Sequence, residues 1–560
     1  FDVDSLDSEL SMGTGTPVPN GLTLEDGKKV FSRCFQEDKV KVFEVTEINP
    51  LLDVKNKMAK NIVICADGTG NLGGETPDSN VYKMYNAIDI HSKKQRQVTF
   101  YDNGVGTASN KYWRAVSGAF GFGFKRNVCD LYRFLAKHYD QGDQVFMFGF
   151  SRGAAEVRAF SGFIAAVGLI DGRTLTEEAL RQRVEEAYAV YKSQKPNLNF
   201  GEHGVIPITC IGVWDTVSAL GFPQDWRITG IGLWLLNAMF MVLDRLFDVI
   251  FPHRFYNYKL TPNVKFAYQA LAIDDERQSF TPLVWDELNC GQDTHVEQVW
   301  FVGSHSNVGG GYGRAGLANV SLEWMISRVL QHNLFLKNGV YDIVRLNANE
   351  HGRLYDSRDG VAVYYRYAPR DIQALCRDKV RGPIHVHRSV IARMEEQTAN
   401  YSPSNLPDQF DVVGSDSVVT ITSSGTVEEK KAIRKWVLCR EWLYGLFLEF
   451  TLLVVGSAIC LWIFGVAAKD MPVRQGFLGL LDSILGHIAE VLLYILPMMF
   501  KGLITVAVIQ KPIIFGVALA FLIALWWAKG YFRYHCDLAC EMARDTLLKS
   551  LPSKLKKDDL

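Results

Sequence analysis

Residues Gln144–Arg158, Q-V-F-M-F-G-F-S-R-G-A-A-E-V-R, combine a short apolar run with a serine between two glycines. Val145–Phe150 is rich in β-forming side chains and has the unbroken apolar character of a strand buried on both faces of a parallel sheet. An alanine-rich segment that favours helix follows Gly153. The stretch therefore predicts a strand, a tight turn and a helix, which is the order found in doubly wound α/β folds.

The turn itself has the pattern G-x-S-x-G, which places Ser151 where a nucleophile elbow holds its serine. Glycines two residues to either side let the strand and the helix approach closely, and a strained turn lifts the hydroxyl clear of the sheet edge. The N–H of Arg152 lies at the predicted helix N-terminus, where it can donate a hydrogen bond to a developing oxyanion. The alternative is a tight strand–helix turn that contains a serine by chance.

A second predicted strand, Asn61–Ala66, is followed by the loop D-G-T-G-N (Asp67–Asn71). In open α/β sheets, sites form at the carboxyl ends of the strands. We therefore expect backbone N–H groups at Gly68 and Thr69 to face the serine and complete an oxyanion hole. Asp67 has two open interpretations, as part of that site or as a carboxylate that satisfies the loop amides.

Two further strand ends supply an acid and a histidine in the chain order Ser…Asp…His that α/β hydrolases use. Asp215 and His305 each directly follow a predicted strand, and His305 lies in a glycine-rich loop. His253 and His295 are weaker candidates because neither directly follows an apolar, strand-like run. The pattern predicts Ser151 as nucleophile, His305 as general base and Asp215 as the carboxylate that orients it. The simpler alternatives are a capping aspartate and a structural histidine.

Composition excludes some function classes. The chain has 560 residues and a formal net charge of −1, so it lacks the global basic field that indicates nucleic-acid binding. Its ten cysteines are scattered singly, which indicates reduced thiols. Cys536 and Cys540 lie beside His535 on one predicted helical face, but no second pair completes a tetrahedral metal site. We expect helix packing there, and neither a metal nor an organic cofactor.

The domain organisation follows from changes in composition along the chain. Residues 1–57 predict an N-terminal lead-in, and residues 58–400 predict the catalytic domain. Within that domain, Trp113–Phe124 predicts a mobile rim over the site. Gly230–Phe251 predicts an apolar insertion, either an interfacial amphipathic helix or a lid over a lipid entrance, with a core helix as the alternative. Residues 401–440 predict a linker and a basic juxtamembrane segment.

Residues 441–530 predict transmembrane helices. Phe450–Ala468 has 19 uncharged residues and Pro512–Ala528 has 17, which is long enough to span a bilayer. Val491–Ile509 is interrupted by a proline and a lysine, so a re-entrant segment, an interfacial segment and a third span all stay open. Basic residues flank both spans and predict a hairpin with the catalytic domain on the cytosolic side. Residues 531–560 predict a C-terminal helix and a basic tail. The alternative is a pair of buried helices in a soluble bundle.

Five blocks, spread in order over about residues 58–335, carry a resemblance to a known family. They are Cys65–Asn71 (C-A-D-G-T-G-N), Gly142–Ala155 (G-D-Q-V-F-M-F-G-F-S-R-G-A-A), Gly212–Val217 (G-V-W-D-T-V), Ala270–Arg277 (A-L-A-I-D-D-E-R) and Trp300–Tyr312 (W-F-V-G-S-H-S-N-V-G-G-G-Y). Together they resemble the uncharacterised α/β-hydrolase family that includes the type VI secretion phospholipase effectors. The resemblance implies an α/β-hydrolase core with Ser151, Asp215 and His305 as triad. Members with known activity cleave acyl ester bonds of glycerophospholipids.

We therefore predict an α/β-hydrolase-like, doubly wound, mostly parallel sheet with a C-terminal α-helical transmembrane region. The predicted protein is a membrane-anchored serine hydrolase that cleaves acyl ester bonds of lipids or phospholipids. Its expected partners are a phospholipid substrate and the bilayer, without nucleic acid, and self-association through the transmembrane region is left open. The alternatives are an anchored esterase or thioesterase for soluble substrates, and a membrane scaffold or channel with a degenerate hydrolase domain.

Overall fold

The computed structural model describes residues 59–104, 123–218, 256–414, 418–464 and 512–551, apart from positions 70, 72, 75, 76, 199 and 257, together with a few isolated positions elsewhere. Several predictions fall outside this part of the chain. They concern nearly all of the lead-in 1–57, most of the rim Trp113–Phe124, most of the insertion Gly230–Phe251, His253, and most of the third apolar block Val491–Ile509.

A nine-stranded sheet forms the centre of the described structure. Its strands in chain order are β1 Asn61–Ala66, β2 Gln97–Asp102, β3 Gln144–Phe150, β4 Ile208–Trp214, β5 Val264–Ala272, β6 His295–Phe301, β7 Ile384–His387, β8 Phe410–Val413 and β9 Val419–Ile421. They lie side by side in the order β2-β1-β3-β4-β5-β6-β7-β8-β9. The first eight strands are parallel, and β9 is antiparallel to β8. The predicted α/β character and mostly parallel sheet are confirmed.

Helices connect and cover the strands. They are α1 Asn80–Ala87, α2 Phe124–His138, α3 Ser151–Val167, α4 Glu177–Lys192, α5 His305–Gly309, α6 Gly316–Val329, α7 Val340–Asn347, α8 Ile372–Cys376, α9 Arg388–Glu395, α10 Val427–Phe464 and α11 Pro512–Ser550. Along β1 the side chains alternate between two apolar layers, as the period of a strand requires. Ile62 and Ile64 pack with α2, α3 and α4, whereas Val63 and Cys65 pack with α1 and α6. The sheet therefore has helices on both faces.

The strand order reverses direction between β1 and β3, the second and third strands of the sheet. From β1 the chain runs outward to β2 and then returns to form β3 on the other side of β1. Ala66 pairs with Gly149, and Phe150 pairs with Trp214, so the carboxyl ends of β1, β3 and β4 are level. Such a reversal opens a crevice at the carboxyl edge, where open α/β sheets form their sites. The fold thus brings the residues that follow these strands together.

Two boundaries differ from those predicted from the sequence. The sequence predicted β6 from the apolar residues near its end, but in the structure the strand begins earlier, at His295. Only the carboxyl-terminal half of β6 is buried, so its first residues lack the unbroken apolar pattern. His295 is therefore at the edge opposite the crevice. The segment 401–440, predicted as a linker and juxtamembrane segment, contributes β8, β9 and the start of α10. Phe410 and Ile421 are buried there, so the sheet continues well beyond residue 400.

The two long helices α10 and α11 pack against each other in antiparallel directions. The ring of Trp436 stacks on His535 at 4.7 Å between centroids, and Phe450 lies 5.4 Å from Phe521. Large apolar side chains on this pair face outward, and Trp526 is 76% exposed. Within the described residues, one helical segment, Val427–Ile459, has the length and composition that crossing a membrane requires. Length and composition alone do not establish a span, so the transmembrane hairpin stays a prediction.

Gly153 marks the closest approach between α3 and β1, and it provides a test of the fold. A Cβ at this position would collide with the backbone carbonyls of Ala66 and Asp67, which a central strand cannot move aside. We expect Gly153→Ala to lower the free energy of unfolding by about 1–3 kcal/mol. Thermal unfolding of the purified chain measures the change. The matched control is Gly313→Ala, whose Cβ would meet no atom within 4 Å. Equal melting temperatures for the two variants would contradict the packing described here.

Candidate active site

Ser151 occupies a strained turn between β3 and α3. Its φ angle is 58°, in the left-handed region that residues other than glycine rarely adopt. The glycines on either side allow the turn, since a Cβ at Gly149 would lie 2.6 Å from the Cα of Ala154, and one at Gly153 would strike β1. The hydroxyl-bearing residue thus stands at the carboxyl edge of the central strand. This is the local geometry that the G-x-S-x-G pattern predicted.

Asp215 directly follows β4, the neighbour of β3. It also has a positive φ angle, 42°. Because Phe150 and Trp214 are paired, Ser151 and Asp215 leave the sheet at the same level. The N–H of Val217 then donates to the carbonyl of Ser151 at 3.3 Å and ties the two turns together. Asp215 is fully buried, so its carboxylate requires donors from the protein.

His305 lies in the first turn of the short helix α5, where a glycine-rich loop was expected. Its Nδ1 lies 2.6 Å from Oδ2 of Asp215. Because an ionised carboxylate only accepts, Nδ1 carries the proton and Nε2 is left as the basic nitrogen. The imidazole packs on the ring of Phe150 at 4.6 Å and against the ring of Phe280 at 5.0 Å between centroids. The structure therefore brings His305 to Asp215 and to the residue that precedes Ser151.

A second loop fixes the backbone at the start of α5. The N–H of His305 donates to Oδ2 of Asp275 at 3.1 Å, and Asp275 is itself held by Arg277 through Nη2 to Oδ2 at 2.7 Å. Asn307 accepts from the hydroxyl of Ser304 at 3.1 Å at the N-terminus of the helix. The ring position of His305 thus depends on contacts to its backbone as well as to its side chain.

Arg370 is a site residue that the sequence did not indicate. Its Nη1 donates to Oδ1 of Asp215 and its Nη2 donates to Oδ2, both at 2.7 Å, which is the bidentate geometry of a strong charged pair. Further hydrogen bonds reach the carbonyls of Ala272 at 2.5 Å and Phe280 at 2.6 Å. The local sequence around residue 370 has no motif, and the contact joins residues 155 positions apart. Only the folded chain shows it.

These contacts set the protonation states. Burial by itself would raise the pKa of Asp215, but the charge of Arg370 and the hydrogen bonds from His305 and Arg370 hold that pKa well below its usual value. Burial lowers the pKa of His305, and this effect outweighs the hydrogen bond and the negative charge of Asp215. At neutral pH the aspartate is therefore ionised and the imidazole is neutral. A neutral imidazole is the form that a general base requires.

The loop after β1 lies against the serine, but one expected donor is already occupied. A Cβ at Gly68 would lie 3.2 Å from the Cβ of Ser151. The N–H of Gly68, however, donates to Oδ1 of Asp67 at 2.6 Å. The backbone amides of Thr69 and Arg152 are left as the candidates for an oxyanion hole. The amide of Arg152 is in the first turn of α3, where no intrahelical acceptor exists.

Asp67 acts on its own loop. Its carboxylate accepts from the amide of Gly68, from Nδ2 of Asn71 at 3.0 Å, from the hydroxyl of Tyr101 at 2.7 Å and from the hydroxyl of Ser79. Of the two interpretations of Asp67, the structural one therefore agrees with these contacts. The carboxylate holds the loop in place beside Ser151.

The described part of the chain offers no group of three or more His, Cys, Asp or Glu side chains placed to hold a metal ion. Cys536 and Cys540 are buried in α11 and pack with Ile433 of α10.

Comparison with known proteins identifies the domain that carries this site. The matching family model is described as "T6SS, Phospholipase effector Tle1-like, catalytic domain". Residues 60–328 match this family of catalytic domains. The resemblance predicted from the five sequence blocks is confirmed, and it supports a lipid-hydrolysing domain. A separate match joins residues 1–66 to the arginase family.

Curated relatives share only parts of their length with this chain. An uncharacterized protein of Saccharomyces cerevisiae is 27% identical over 208 residues, which cover 32% of this chain and 29% of that protein. An arginase of Entamoeba histolytica is 37% identical over 65 residues, which cover 12% of this chain and 22% of the arginase. The chain thus spans less than a third of either relative.

Two solved structures are also similar to the chain. One is the Tle1 effector bound to the VgrG spike from the type 6 secretion system, with 18% identity and a TM-score of 0.26 over 46% of this chain and 52% of the effector. The other is an uncharacterized protein from Pseudomonas aeruginosa, with 14% identity and a TM-score of 0.29 over 70% of this chain and 60% of that protein.

The ion pair between Arg370 and Asp215 generates a prediction about stability. Arg370→Gln leaves a buried carboxylate without its cation, and breaking a buried pair in this way typically costs about 3–5 kcal/mol. We expect a clearly lowered melting temperature for the purified chain. Arg370→Lys keeps the charge but loses the bidentate geometry, so it should melt between Arg370→Gln and wild type. Wild-type stability in the Gln variant would contradict the role assigned to this pair.

Proposed function

We propose that this chain is a membrane-anchored serine hydrolase that cleaves acyl ester bonds of lipids or phospholipids through Ser151, His305 and Asp215. The observation that carries the proposal is the buried hydrogen bond between Nδ1 of His305 and Asp215, beside a strained serine at the neighbouring strand end. These residues lie within the domain that matches a phospholipase effector family. An α/β-hydrolase assignment of the fold is part of the same proposal.

In the first half of the reaction, Oγ of Ser151 attacks the ester carbonyl carbon while Nε2 of His305 takes the hydroxyl proton. The carbonyl oxygen becomes an oxyanion, which accepts hydrogen bonds from the amides of Arg152 and Thr69. Removing one such donor typically costs about 10²–10³ in kcat. The ester bond then breaks, and His305 gives its proton to the departing alcohol. The acyl group is left on Ser151.

In the second half, His305 takes a proton from water, and the hydroxide that forms attacks the acyl carbon. Collapse of this second oxyanion releases the fatty acid, and the proton returns to Oγ of Ser151. Asp215 stabilises the imidazolium that exists in each half. Arg370 fixes the orientation of Asp215 and offsets part of its negative charge, so Arg370 is a positioning residue.

The membrane placement rests on α10 and α11. Their exposed apolar side chains would be covered by lipid, as a large apolar surface requires. Basic residues flank the predicted spans, so the positive-inside rule places the catalytic domain on the cytosolic side. An anchor beside the bilayer suits the proposed substrate, because lipids are dilute in water. The arginase match supports no proposed activity, since it covers 12% of this chain and 22% of the arginase.

The nucleophile is tested by Ser151→Ala. Without the hydroxyl no acyl-enzyme forms, so we expect ester hydrolysis to fall on the order of 10³-fold or more and fluorophosphonate labelling to disappear. The matched control is Ser161→Ala, a buried serine of the same helix whose hydroxyl donates to the carbonyl of Arg158. Lipid products from phospholipid vesicles and from short-chain esters should be measured by mass spectrometry.

Each outcome of this experiment has a distinct meaning. Unchanged hydrolysis by Ser151→Ala would refute the mechanism. Hydrolysis of short-chain esters alone would replace the phospholipase with an anchored esterase. Absence of labelling in the wild type, together with ion flux in liposomes, would favour a membrane scaffold or channel.

The pH dependence tests His305. Its pKa is lowered by burial, and the basic form is lost as the pH falls through that pKa. We expect the acidic limb of kcat/KM to have its midpoint below about 6.5, the ordinary value for histidine. In Arg370→Gln the full charge of Asp215 would act on the imidazole, so the limb should move to higher pH. A wild-type limb above that value, or an unmoved limb in the variant, would contradict these roles.

A further inference from the structure

A cavity of about 810 Å³ lies between the catalytic domain and the helix pair α10–α11. We call it the junction cavity. One wall is a face of α10 and a face of α11, and the opposite wall includes the loop 274–276 and residues 399–405. Neither Ser151 nor Asp215 nor His305 lines it. The junction cavity is thus separate from the candidate active site, although one residue that lines it, Asp275, accepts from the backbone N–H of His305.

The residues of α11 that line the junction cavity change character in order along one helical face. Leu522, Leu525 and Trp526 are followed by Lys529 and Arg533. One to two turns further along the same face come Asp537 and Glu541. The spacings of three and four residues keep all of these side chains on one side of the helix. The wall therefore passes from apolar to cationic to anionic.

Two of the cations at the cavity are already committed to the protein. Arg440 pairs with Glu276 at 3.5 Å. Arg358 donates to the carbonyls of Val363 at 3.1 Å and Tyr365 at 3.2 Å.

The other two cations are available. Lys529 forms no ion pair within the described part of the chain. Arg533 is 61% exposed, and its ion pair is with Asp537 of the same helix at 3.8 Å. Lys529 is therefore available to an anionic group of a ligand, and Arg533, which is 61% exposed, can bind the same group in place of its 3.8 Å contact with Asp537.

The acidic side chains that line the cavity also divide into those already bound by the protein and those that are available to a ligand. Asp274 accepts from the N–H of Gly303 and the hydroxyl of Tyr401, and Glu276 is held by Arg440. Asp537 is paired only within its own helix, and Glu541 has no cationic partner among the described residues. Positive and negative groups thus stand next to each other at the polar end of the cavity. A ligand that carries both charges can satisfy them together.

The apolar end of the junction cavity lies beside the start of the predicted span in α10 and the end of the predicted span in α11. Leu443, Tyr444 and Phe447 of α10 line the cavity together with Leu525 and Trp526 of α11. Leu525 is buried, whereas Trp526 is largely exposed. An acyl chain placed here would cover apolar surface that water otherwise contacts, at about 25 cal/mol per Å² of burial.

We propose that the junction cavity binds a zwitterionic phospholipid. Its acyl chains lie against Leu525, Trp526 and the apolar face of α10, its phosphate accepts from Lys529 and Arg533, and its amine donates to Asp537 and Glu541. The order of chain, phosphate and amine in such a lipid is the order of apolar, cationic and anionic side chains along α11. This inference rests on the membrane placement in the proposed function, but it does not require catalysis.

The test uses the full chain carrying Ser151→Ala, so that bound lipid is not hydrolysed. The protein in nonionic detergent is titrated with phosphatidylethanolamine, with phosphatidylglycerol, or with soluble glycerophosphoethanolamine, and bound ligand is counted by native mass spectrometry. We expect retention of phosphatidylethanolamine and weaker retention of phosphatidylglycerol, which lacks the amine. The soluble headgroup, which lacks acyl chains, should not be retained.

Matched variants separate the contributions. The double variant Lys529→Gln with Arg533→Gln should weaken phosphatidylethanolamine binding tenfold or more, because charge-assisted hydrogen bonds to the phosphate are lost. Asp537→Asn with Glu541→Gln should abolish the preference over phosphatidylglycerol. Lys431→Gln, an exposed lysine of α10 that does not line the cavity, is the control and should bind as the parent does. Melting temperatures verify that each variant is folded.

Three results would overturn the proposal. They are unchanged binding in a folded Lys529/Arg533 variant, equal retention of the two lipids by the parent, and equal retention of the soluble headgroup. Activity of the wild type is measured in parallel. Lipid binding without hydrolysis would contradict only the proposed catalysis, and hydrolysis without specific lipid binding would contradict only the junction cavity assignment.

Discussion

The buried carboxylate of Asp215 is the point on which the site depends. An ionised group without solvent is stable only if the protein supplies its partners. Arg370 supplies two donors, His305 one, and the amide of Ala272 another at 3.0 Å. These donors come from three separate parts of the chain, so the carboxylate, which directly follows β4, is joined to β5, to α5 and to the segment before α8. The same contacts that make the charge tolerable also fix the imidazole.

The residues that hold Asp215 extend beyond the part of the chain that matches the family model. The family match ends at residue 328, yet Arg370 comes from the following region. That region also supplies β7, β8 and β9, which continue the sheet from β6. Leu547 of α11 and Leu551, directly after α11, pack into the same apolar cluster as β7 and β8. The polypeptide after the matched domain is therefore part of the structure that holds Asp215.

The sequence could predict what depends on local pattern. The apolar runs of β1, β3 and β4 and the residues that end them predicted the crevice and the positions of Ser151 and Asp215. It could not predict Arg370, whose contact depends on tertiary structure, or the commitment of the Gly68 amide to Asp67. Strands β7 and β8 have only four residues each, too few for a clear alternation. The start of β6 was missed because its first three residues, H-V-E, are exposed or half-buried and two of them are polar.

The loop Asp274–Arg277 connects the helix pair α10–α11 to the candidate active site. Its second residue, Asp275, accepts from the backbone N–H of His305, and its third, Glu276, pairs with Arg440 of α10. Adjacent residues of one loop therefore contact the helix that carries His305 and, through Arg440, the long helices. Arg277 also donates two side-chain hydrogen bonds to Asp275 from within the same loop. The contact to His305 and the contact to Arg440 are therefore linked through one short, hydrogen-bonded segment. The position of α10 and the backbone position of His305 are thus set by the same few residues.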